Sequence, residues 1–128
     1  SVLFSKFYSK NRVGFLRLMT LNIAINYGGQ QELTAAARKL AQQVADGTRT
    51  VEEITEETLQ AALYTEEQPP VDLILRPSGE YRLSNFLIWQ SAYAEFVFMD
   101  VLWPDFTEQD LEKAFAEYGR RNRRFGGV

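Results

Sequence analysis

The feature that most constrains the fold is a short apolar run that passes directly into a charged turn. Residues 71–75 (VDLIL) have the length and composition of a buried strand, and Arg76 follows them without a polar break. The next three residues, Pro-Ser-Gly, cannot continue a helix or a central strand. Ligands of open α/β sheets bind at the carboxyl ends of strands, so Arg76 stands where a ligand site is expected.

Polar side chains crowd the segment after this turn, namely Glu80, Arg82, Ser84 and Asn85. Guanidinium groups match phosphate oxygens in geometry and stay charged, so two arginines here favour a site for an anionic ligand. The alternative is that both arginines are structural and pair with Glu80 or Asp72 at the surface. An arginine placed directly at a strand end favours the anion-binding interpretation.

Glu95 is a carboxylate inside an otherwise apolar segment, residues 92–99. Burial of a carboxylate is costly unless it is paired or bound to a metal. We therefore expect Glu95 either to pair with an arginine such as Arg82 or to ligate a metal, and the sequence leaves both open.

Composition excludes several classes of chemistry. The chain has 128 residues, a net charge of −3, no histidine and no cysteine. Catalysis through histidine and metal sites built on imidazole or thiolate are therefore excluded, and any metal would be a hard ion such as magnesium. The net charge does not indicate nucleic-acid binding. The lack of cysteine suits a cytoplasmic protein. No apolar run reaches the ~20 residues of a membrane span.

Hydrophobic periodicity predicts an α/β fold with a mostly parallel central sheet flanked by helices. Strands are expected at 21–27, 71–75 and within 92–99, and helices at 30–45, at 55–63 and after Thr107. Gly47 is expected to end the first of these helices, and Thr50 with Glu53 has the form of a capping box. Residues 1–18 are interpreted as a core-packing helix, with a targeting peptide as the alternative. Residues 1–128 are expected to form one domain.

Large apolar residues outside these elements are predicted to be buried. They are residues 86–89, Trp103 and the loop at 100–106. Four arginines at 120, 121, 123 and 124 complement the dipole of the last helix. Arg124 and Gly126 form an Arg-x-Gly tail that could also bind an anion.

Taken together, four stretches resemble a known family: NYGG at 26–29, RPSGEYRLSNFLIWQSAYAEF at 76–96, DVLWPDF at 100–106 and RRFGG at 123–127. They closely resemble the cis-prenyltransferases and, among these, the bacterial undecaprenyl diphosphate synthases. The resemblance runs from about residue 21 to the C-terminus, and residues 1–18 match poorly. It implies a homodimeric, magnesium-dependent transferase with an apolar product tunnel.

The resemblance also implies a reaction and a set of site residues. The family adds isopentenyl diphosphate to an allylic diphosphate, usually farnesyl diphosphate, and the undecaprenyl product serves as a lipid carrier for cell-wall synthesis. Carried over to this chain, Arg76, Arg82 and Ser84 would hold the diphosphate of isopentenyl diphosphate, Glu95 would ligate magnesium, Glu80 and Asn85 would support the loop, and Arg124 and Gly126 would reach the partner's substrate. The implied protein is cytoplasmic, peripheral at the membrane that receives its product.

One part of the family pattern is missing. The motif His-x-x-Asp-Gly-Asn-x-Arg-Trp, which binds the allylic diphosphate in the family, has no match in this chain. The resemblance therefore covers the C-terminal half of the family domain, and we do not expect this polypeptide to turn over alone. A non-catalytic accessory subunit that lends its tail to a partner is the second hypothesis. A nucleotide-binding domain that uses Gly28 and Gly29 ranks last, because it lacks a longer phosphate-binding fingerprint.

Overall fold

The computed structural model describes residues 3–8 and 20–121, with residues 3–8 and Thr20 described by their backbone alone. The chain divides into two compact units, Ser1–Glu67 and Gln68–Val128. The expectation of a single domain over residues 1–128 stays a prediction. Among the described residues, every helix is too short or too polar for a membrane span.

The first unit contains an antiparallel pair of strands. Strand β1 (Leu3–Tyr8) pairs with β2 (Thr20–Ile25), with Leu3 opposite Ile25 and Tyr8 opposite Thr20. The strand predicted near residues 21–27 is confirmed. The helix predicted at the start of the chain is wrong for residues 3–8. Aromatic residues favour strands, and β2 supplies hydrogen-bond partners for this backbone, so pairing outweighs a helical spacing seen over only a few residues.

Helix α1 (Gly29–Ala45) follows β2 and confirms the predicted helix. Its buried residues include Ala36 and Leu40, which lie four positions apart on one face. The helix ends at Ala45 with Asp46 as its C-cap, and the next residue, Gly47, has a φ of +71° in the left-handed region. The predicted glycine cap is therefore confirmed, since this conformation favours a residue without a Cβ.

A buried carboxylate links α1 to the segment that follows α2 (Glu56–Gln60) in the same unit. Glu32 is only 1% exposed and accepts hydrogen bonds from the Tyr27 hydroxyl at 2.5 Å and the Tyr64 N–H at 2.8 Å. Because both bonds end on this carboxylate, Glu32 connects Tyr27, which precedes α1, with Tyr64, which follows α2. Glu32 belongs to no motif that would have marked it for this role from sequence.

The capping box before α2 lies five residues later than predicted. Thr55 accepts from the Thr58 N–H, and the Thr58 hydroxyl accepts from the Thr55 N–H. The Thr50 N–H does donate to Glu53 at 2.7 Å, but no described helix begins there. The pair at 50 and 53 therefore closes a turn, and the predicted helix itself is confirmed over a shorter range.

The second unit contains a parallel pair of strands with a helix against it. Strand β3 (Leu73–Arg76) pairs with β4 (Glu95–Phe98), with Leu73 opposite Glu95 and Arg76 opposite Phe98. A short 3-10 turn (Trp103–Asp105) leads to α3 (Glu108–Gly119), which contacts β4. The core of the unit includes Ile74, Val97 and Ala114. The predicted α/β class, with parallel strands and flanking helices, is confirmed.

Thr107 begins α3 as predicted. Its hydroxyl accepts from the Asp110 N–H, and the Asp110 carboxylate accepts from the Thr107 N–H at 3.0 Å. The Thr107 hydroxyl, together with Lys113, lowers the pKa of Asp110 from 3.8 to about 2. This reciprocal pair satisfies two of the N–H groups that the first turn of a helix leaves without intrahelical partners.

Three large apolar residues that were predicted to be buried are exposed. Trp103 is 64% exposed, Leu102 is 55% exposed and Phe86 is 43% exposed, so the prediction of burial is wrong for all three. Phe86 and Trp103 line a cavity of the second unit, described below, and a cavity wall of this kind is open to solvent. Hydrophobicity alone could not distinguish such a wall from the core.

Candidate anion-binding site

The site is built on the turn that follows β3. Beyond the end of the strand, the Ser78 N–H donates to the Val101 carbonyl at 2.8 Å and the Gly79 N–H donates to the Met99 carbonyl at 2.8 Å. The Met99 N–H donates back to the Arg76 carbonyl at 3.0 Å. Backbone pairing therefore continues past both strands and fixes the turn, and with it the position from which Arg76 projects.

Glu80 joins the two arginines of this turn. Its Oε2 atom accepts a hydrogen bond from Arg76 Nη2 at 2.7 Å and forms an ion pair with Arg82 Nη2 at 2.6 Å, and Arg76 Nη1 donates to the Arg82 carbonyl. Both ion pairs end on the same oxygen, so the two guanidinium groups converge on one point. Two cations and one carboxylate leave a net positive charge at this point, which suits an anionic ligand.

A cavity of about 670 Å³ opens beside this cluster and lies within the second unit. Arg76, Glu80 and Arg82 form its charged part. Its apolar lining includes Leu83, Phe86, Leu87 and Trp103. A charged end joined to an apolar wall fits a ligand with an anionic head and a hydrocarbon tail.

Left-handed backbone marks the loop that leaves the cluster. Ser84 has a φ of 48°, Asn85 of 66° and Leu87 of 45°. Asparagine tolerates this region, but serine and leucine adopt it at a cost of about 1–2 kcal/mol each. Ser84 and Asn85 are exposed, and neither lines the cavity. The structure thus brings Arg76, Arg82 and Glu80 together, while the ligand role of Ser84 and the supporting role of Asn85 stay predictions.

Glu95 lies away from this cluster. It is opposite Leu73 at the start of the parallel pair, whereas Arg76 is opposite Phe98 at its end. Three residues of strand separate the two positions, which is about 10 Å at about 3.3 Å per residue. Side chains alternate between the two faces of a sheet and paired residues share a face, so Glu95 and Arg76 also lie on opposite faces.

Glu95 pairs with an arginine, but the partner is Arg121. Arg121 Nη1 lies 3.1 Å from Glu95 Oε2 and donates to the Phe96 carbonyl at 2.7 Å, and Arg121 Nη2 pairs with Glu117. Glu117, and after it Glu95, raise the pKa of Arg121. The sequence predicted for Arg121 only a role at the helix dipole. Arg121 stands in a run of similar arginines, so nothing in the sequence marks it as the one that contacts β4.

Comparison with known proteins identifies the family. The family model Prenyltransf, described as "Putative undecaprenyl diphosphate synthase", matches residues 9–126. The chain belongs to this family. It is 57% identical over 110 residues to a ditrans,polycis-undecaprenyl-diphosphate synthase of Pasteurella multocida, a match that covers 86% of this chain and 46% of the relative. It is 55% identical over 110 residues to isoprenyl transferase 2 of Streptomyces avermitilis, covering 86% of this chain and 39% of the relative.

A solved structure shows the same fold. Lavandulyl diphosphate synthase from Lavandula x intermedia, crystallised with dimethylallyl diphosphate, matches with a TM-score of 0.78 and 42% identity over 80% of this chain and 44% of the neighbour. The predicted resemblance and fold class are confirmed. The chain spans less than half the length of each of the three proteins named above. The activity, substrates and partners of a whole enzyme are therefore matters for proposal.

The described residues of this family member do not by themselves form a magnesium site at the arginine cluster. Magnesium in substrate sites takes one or two carboxylates together with phosphate oxygens. Glu95 offers one carboxylate, but Arg121 occupies it, and it lies on the other face from Arg76. Within residues 3–8 and 20–121, no three acidic side chains group together as metal ligands. The magnesium role of Glu95 therefore stays a prediction.

The predicted tail residues, Arg124 and Gly126, lie outside the described residues. Their assignment to a partner's substrate stays a prediction. Gly28 and Gly29, which a nucleotide-binding domain would use, are buried at the start of α1.

Proposed function

We propose that this chain carries the isopentenyl-diphosphate-binding part of a cis-prenyl chain-elongating enzyme of the undecaprenyl diphosphate synthase type. The observation that carries the proposal is the convergence of Arg76 and Arg82 on one oxygen at the charged end of an apolar cavity. Family membership supports the reaction class. The substrates are isopentenyl diphosphate and farnesyl diphosphate, and the product is an undecaprenyl-type polyprenyl diphosphate.

The proposed chemistry needs placement rather than a nucleophilic side chain. The double bond of isopentenyl diphosphate forms a carbon–carbon bond with the first carbon of the allylic substrate, whose diphosphate leaves with the bonding electrons, and a proton is then lost. Two guanidinium groups would hold the diphosphate of isopentenyl diphosphate, so the double bond is presented in one orientation. The apolar wall with Phe86 and Trp103 would contact the hydrocarbon part of the substrate beside these arginines.

The remaining features of the enzyme are proposed on the family resemblance. They are a magnesium requirement with Glu95 as ligand, a homodimer in which Arg124 and Gly126 contribute to the partner's site, and an apolar product tunnel. The proposed location is cytoplasmic and peripheral at the membrane that receives the product. The magnesium role of Glu95 requires that Arg121 release the carboxylate and that further ligands come from outside the described residues.

The direct test is calorimetric titration of isopentenyl diphosphate into the chain and into its Arg82→Ala variant. Loss of one charge-assisted contact, about 1.5–3 kcal/mol, predicts binding at least about tenfold weaker. Arg38→Ala, which removes an exposed arginine of α1, is the matched control and should bind as the unchanged chain does. Equal affinities of all three proteins would remove Arg82 from the site.

The second candidate is a non-catalytic accessory subunit of a cis-prenyltransferase heteromer. A mixing experiment separates the two. The N-terminal half of the Pasteurella multocida relative is added to this chain, and condensation of isopentenyl diphosphate with farnesyl diphosphate is measured. If this chain carries the site, Arg82→Ala lowers the rate of the mixture. Activity of the mixture that does not change in Arg82→Ala would favour the accessory role.

A further inference from the structure

Glu80 occupies the position between the two arginines that an anionic ligand would take. We propose that Glu80 makes the site selective for diphosphates over monophosphates, because an incoming anion must replace it. This inference rests on the proposed function, since it concerns the anion-binding cluster of the same cavity. It goes further by assigning to Glu80 a role in choosing the ligand, in place of support for the loop.

The contacts show what a ligand has to displace. One oxygen of Glu80 forms ion pairs with both Nη2 atoms, at 2.7 Å from Arg76 and 2.6 Å from Arg82. The Arg76 side chain is 25% exposed and its other terminal nitrogen donates to the Arg82 carbonyl. These contacts use two of the five N–H donors of Arg76, and the Glu80 oxygen lies where the two Nη2 atoms converge, so a ligand that bridges both arginines at that point must displace Glu80.

The same contacts show why a single phosphoryl group gains little. A monophosphate that bridges the two arginines makes two charge-assisted bonds and breaks two, so the exchange is close to even. It also leaves the Glu80 carboxylate next to a new anion, which is unfavourable. An unpaired like charge set against the wrong ligand is a recognised source of specificity.

A diphosphate can recover this cost through its second phosphoryl group. Arg82 is 63% exposed, so its guanidinium has nitrogen atoms facing solvent beyond the one paired with Glu80. The second phosphoryl group can bind there, adding contacts that a monophosphate cannot make at the same time. With Glu80 in place, a ligand with one phosphoryl group binds weakly, whereas a ligand with two phosphoryl groups makes enough contacts to displace Glu80. Carboxylate ligands, which would replace Glu80 with an equal group, should bind poorly as well.

The test compares inorganic phosphate with pyrophosphate as probes. Each is titrated calorimetrically, without added metal, into the full chain and into its Glu80→Gln and Glu80→Asp variants. The unchanged chain should prefer pyrophosphate. Glu80→Gln should strengthen phosphate binding more than pyrophosphate binding, so the ratio of the two affinities should fall by about tenfold, the value of about one charge-assisted bond.

Glu80→Asp separates bridging from net charge. Aspartate keeps the charge but is shorter by one methylene and cannot span both arginines, so the ratio should fall in this variant too. Glu112→Gln, the same charge change on an exposed position of α3, should leave the ratio unchanged. An unchanged ratio in Glu80→Gln, weaker phosphate binding in that variant, or a ratio in Glu80→Asp equal to that of the unchanged chain would each overturn the inference.

These outcomes are distinct from a failure of the proposed function. If pyrophosphate binds and Arg82→Ala weakens it, the anion site stands whatever the ratio in the Glu80 variants shows. If pyrophosphate binds to none of the proteins, both the site and the role of Glu80 are overturned together.

Discussion

Replacement of Arg121 by alanine should destabilise the second unit more than replacement of its neighbour. Arg121 joins the end of α3 to the start of β4 through Glu95 and the Phe96 carbonyl, and to Glu117 on its own helix. Arg121 and Glu95 are 34% and 25% exposed, so both are mostly covered by protein. Removal of the guanidinium leaves a covered carboxylate and a backbone carbonyl without this donor.

The magnitude follows from these three contacts. A hydrogen bond to a charged group contributes about 1.5–3 kcal/mol when shielded, and partial exposure reduces the Glu95 bond to about 1 kcal/mol. The neutral bond to the Phe96 carbonyl adds about 1 kcal/mol, and the exposed pair with Glu117, four residues apart on the helix, adds about 0.3–0.5 kcal/mol. We expect a loss of about 2 kcal/mol in the free energy of unfolding, which is a fall in Tm of about 8 °C for a chain of this length.

The assay is thermal and urea unfolding of the chain and two variants, monitored by circular dichroism. Arg120→Ala is the matched control, because Arg120 is exposed and its Nε donates only to a carbonyl of its own helix, that of Ala116, at 3.2 Å. That variant should lose less than about 0.5 kcal/mol, as is usual at surface positions. If Arg121→Ala is no less stable than Arg120→Ala, the contact between α3 and β4 does not stabilise the unit as argued.

Three further predictions concern pH, backbone conformation and a buried carboxylate. The Thr107 hydroxyl holds the pKa of Asp110 at about 2, below its ordinary value of 3.8. Asp110 therefore stabilises the fold above pH 3.8, and this effect is lost as the pH falls through about 2. The stability advantage over Asp110→Asn, measured by unfolding from about pH 5 to about pH 1.5, should vanish at the acid end. Gly79→Ala should cost about 1–2 kcal/mol, since Gly79 has a φ of +66° and a Cβ there would lie 3.1 Å from an aspartate oxygen. Gly119→Ala should cost nothing in the same denaturation assay, because a Cβ added at Gly119 would meet nothing within 4 Å. Glu32→Gln should cost about 1–3 kcal/mol in urea unfolding. The two carboxylate oxygens each accept one hydrogen bond, from the tyrosine hydroxyl and from the backbone N–H, whereas the NH2 group of glutamine cannot accept one, so one of these two bonds is lost. An unchanged unfolding midpoint would refute this.

The order of strands and helices from residue 21 onward was predictable because each element has a local signal. The apolar run before Arg76 and the Pro-Ser-Gly turn after it define where β3 ends, so the arginine could be placed at a strand end without a structure. Thr107 and Gly47 likewise mark helix ends through the hydrogen bonds and backbone angles that those residues favour. The helix prediction was wrong for residues 3–8 because six residues are too few to separate a helical period from a strand period.

The composition of the site was predictable, but its geometry was not, and Glu95 shows why. Its distance and face relative to Arg76 depend on the register of β3 and β4, and a slip of one residue would move Glu95 to the Arg76 face. That register depends on the loop between the strands, where Ser84 and Leu87 adopt left-handed angles that neither residue favours. Local preference therefore points away from the conformation that sets the register. A carboxylate can be recognised from sequence as one that needs a cation, while the choice between Arg82, a metal and Arg121 is made by tertiary structure.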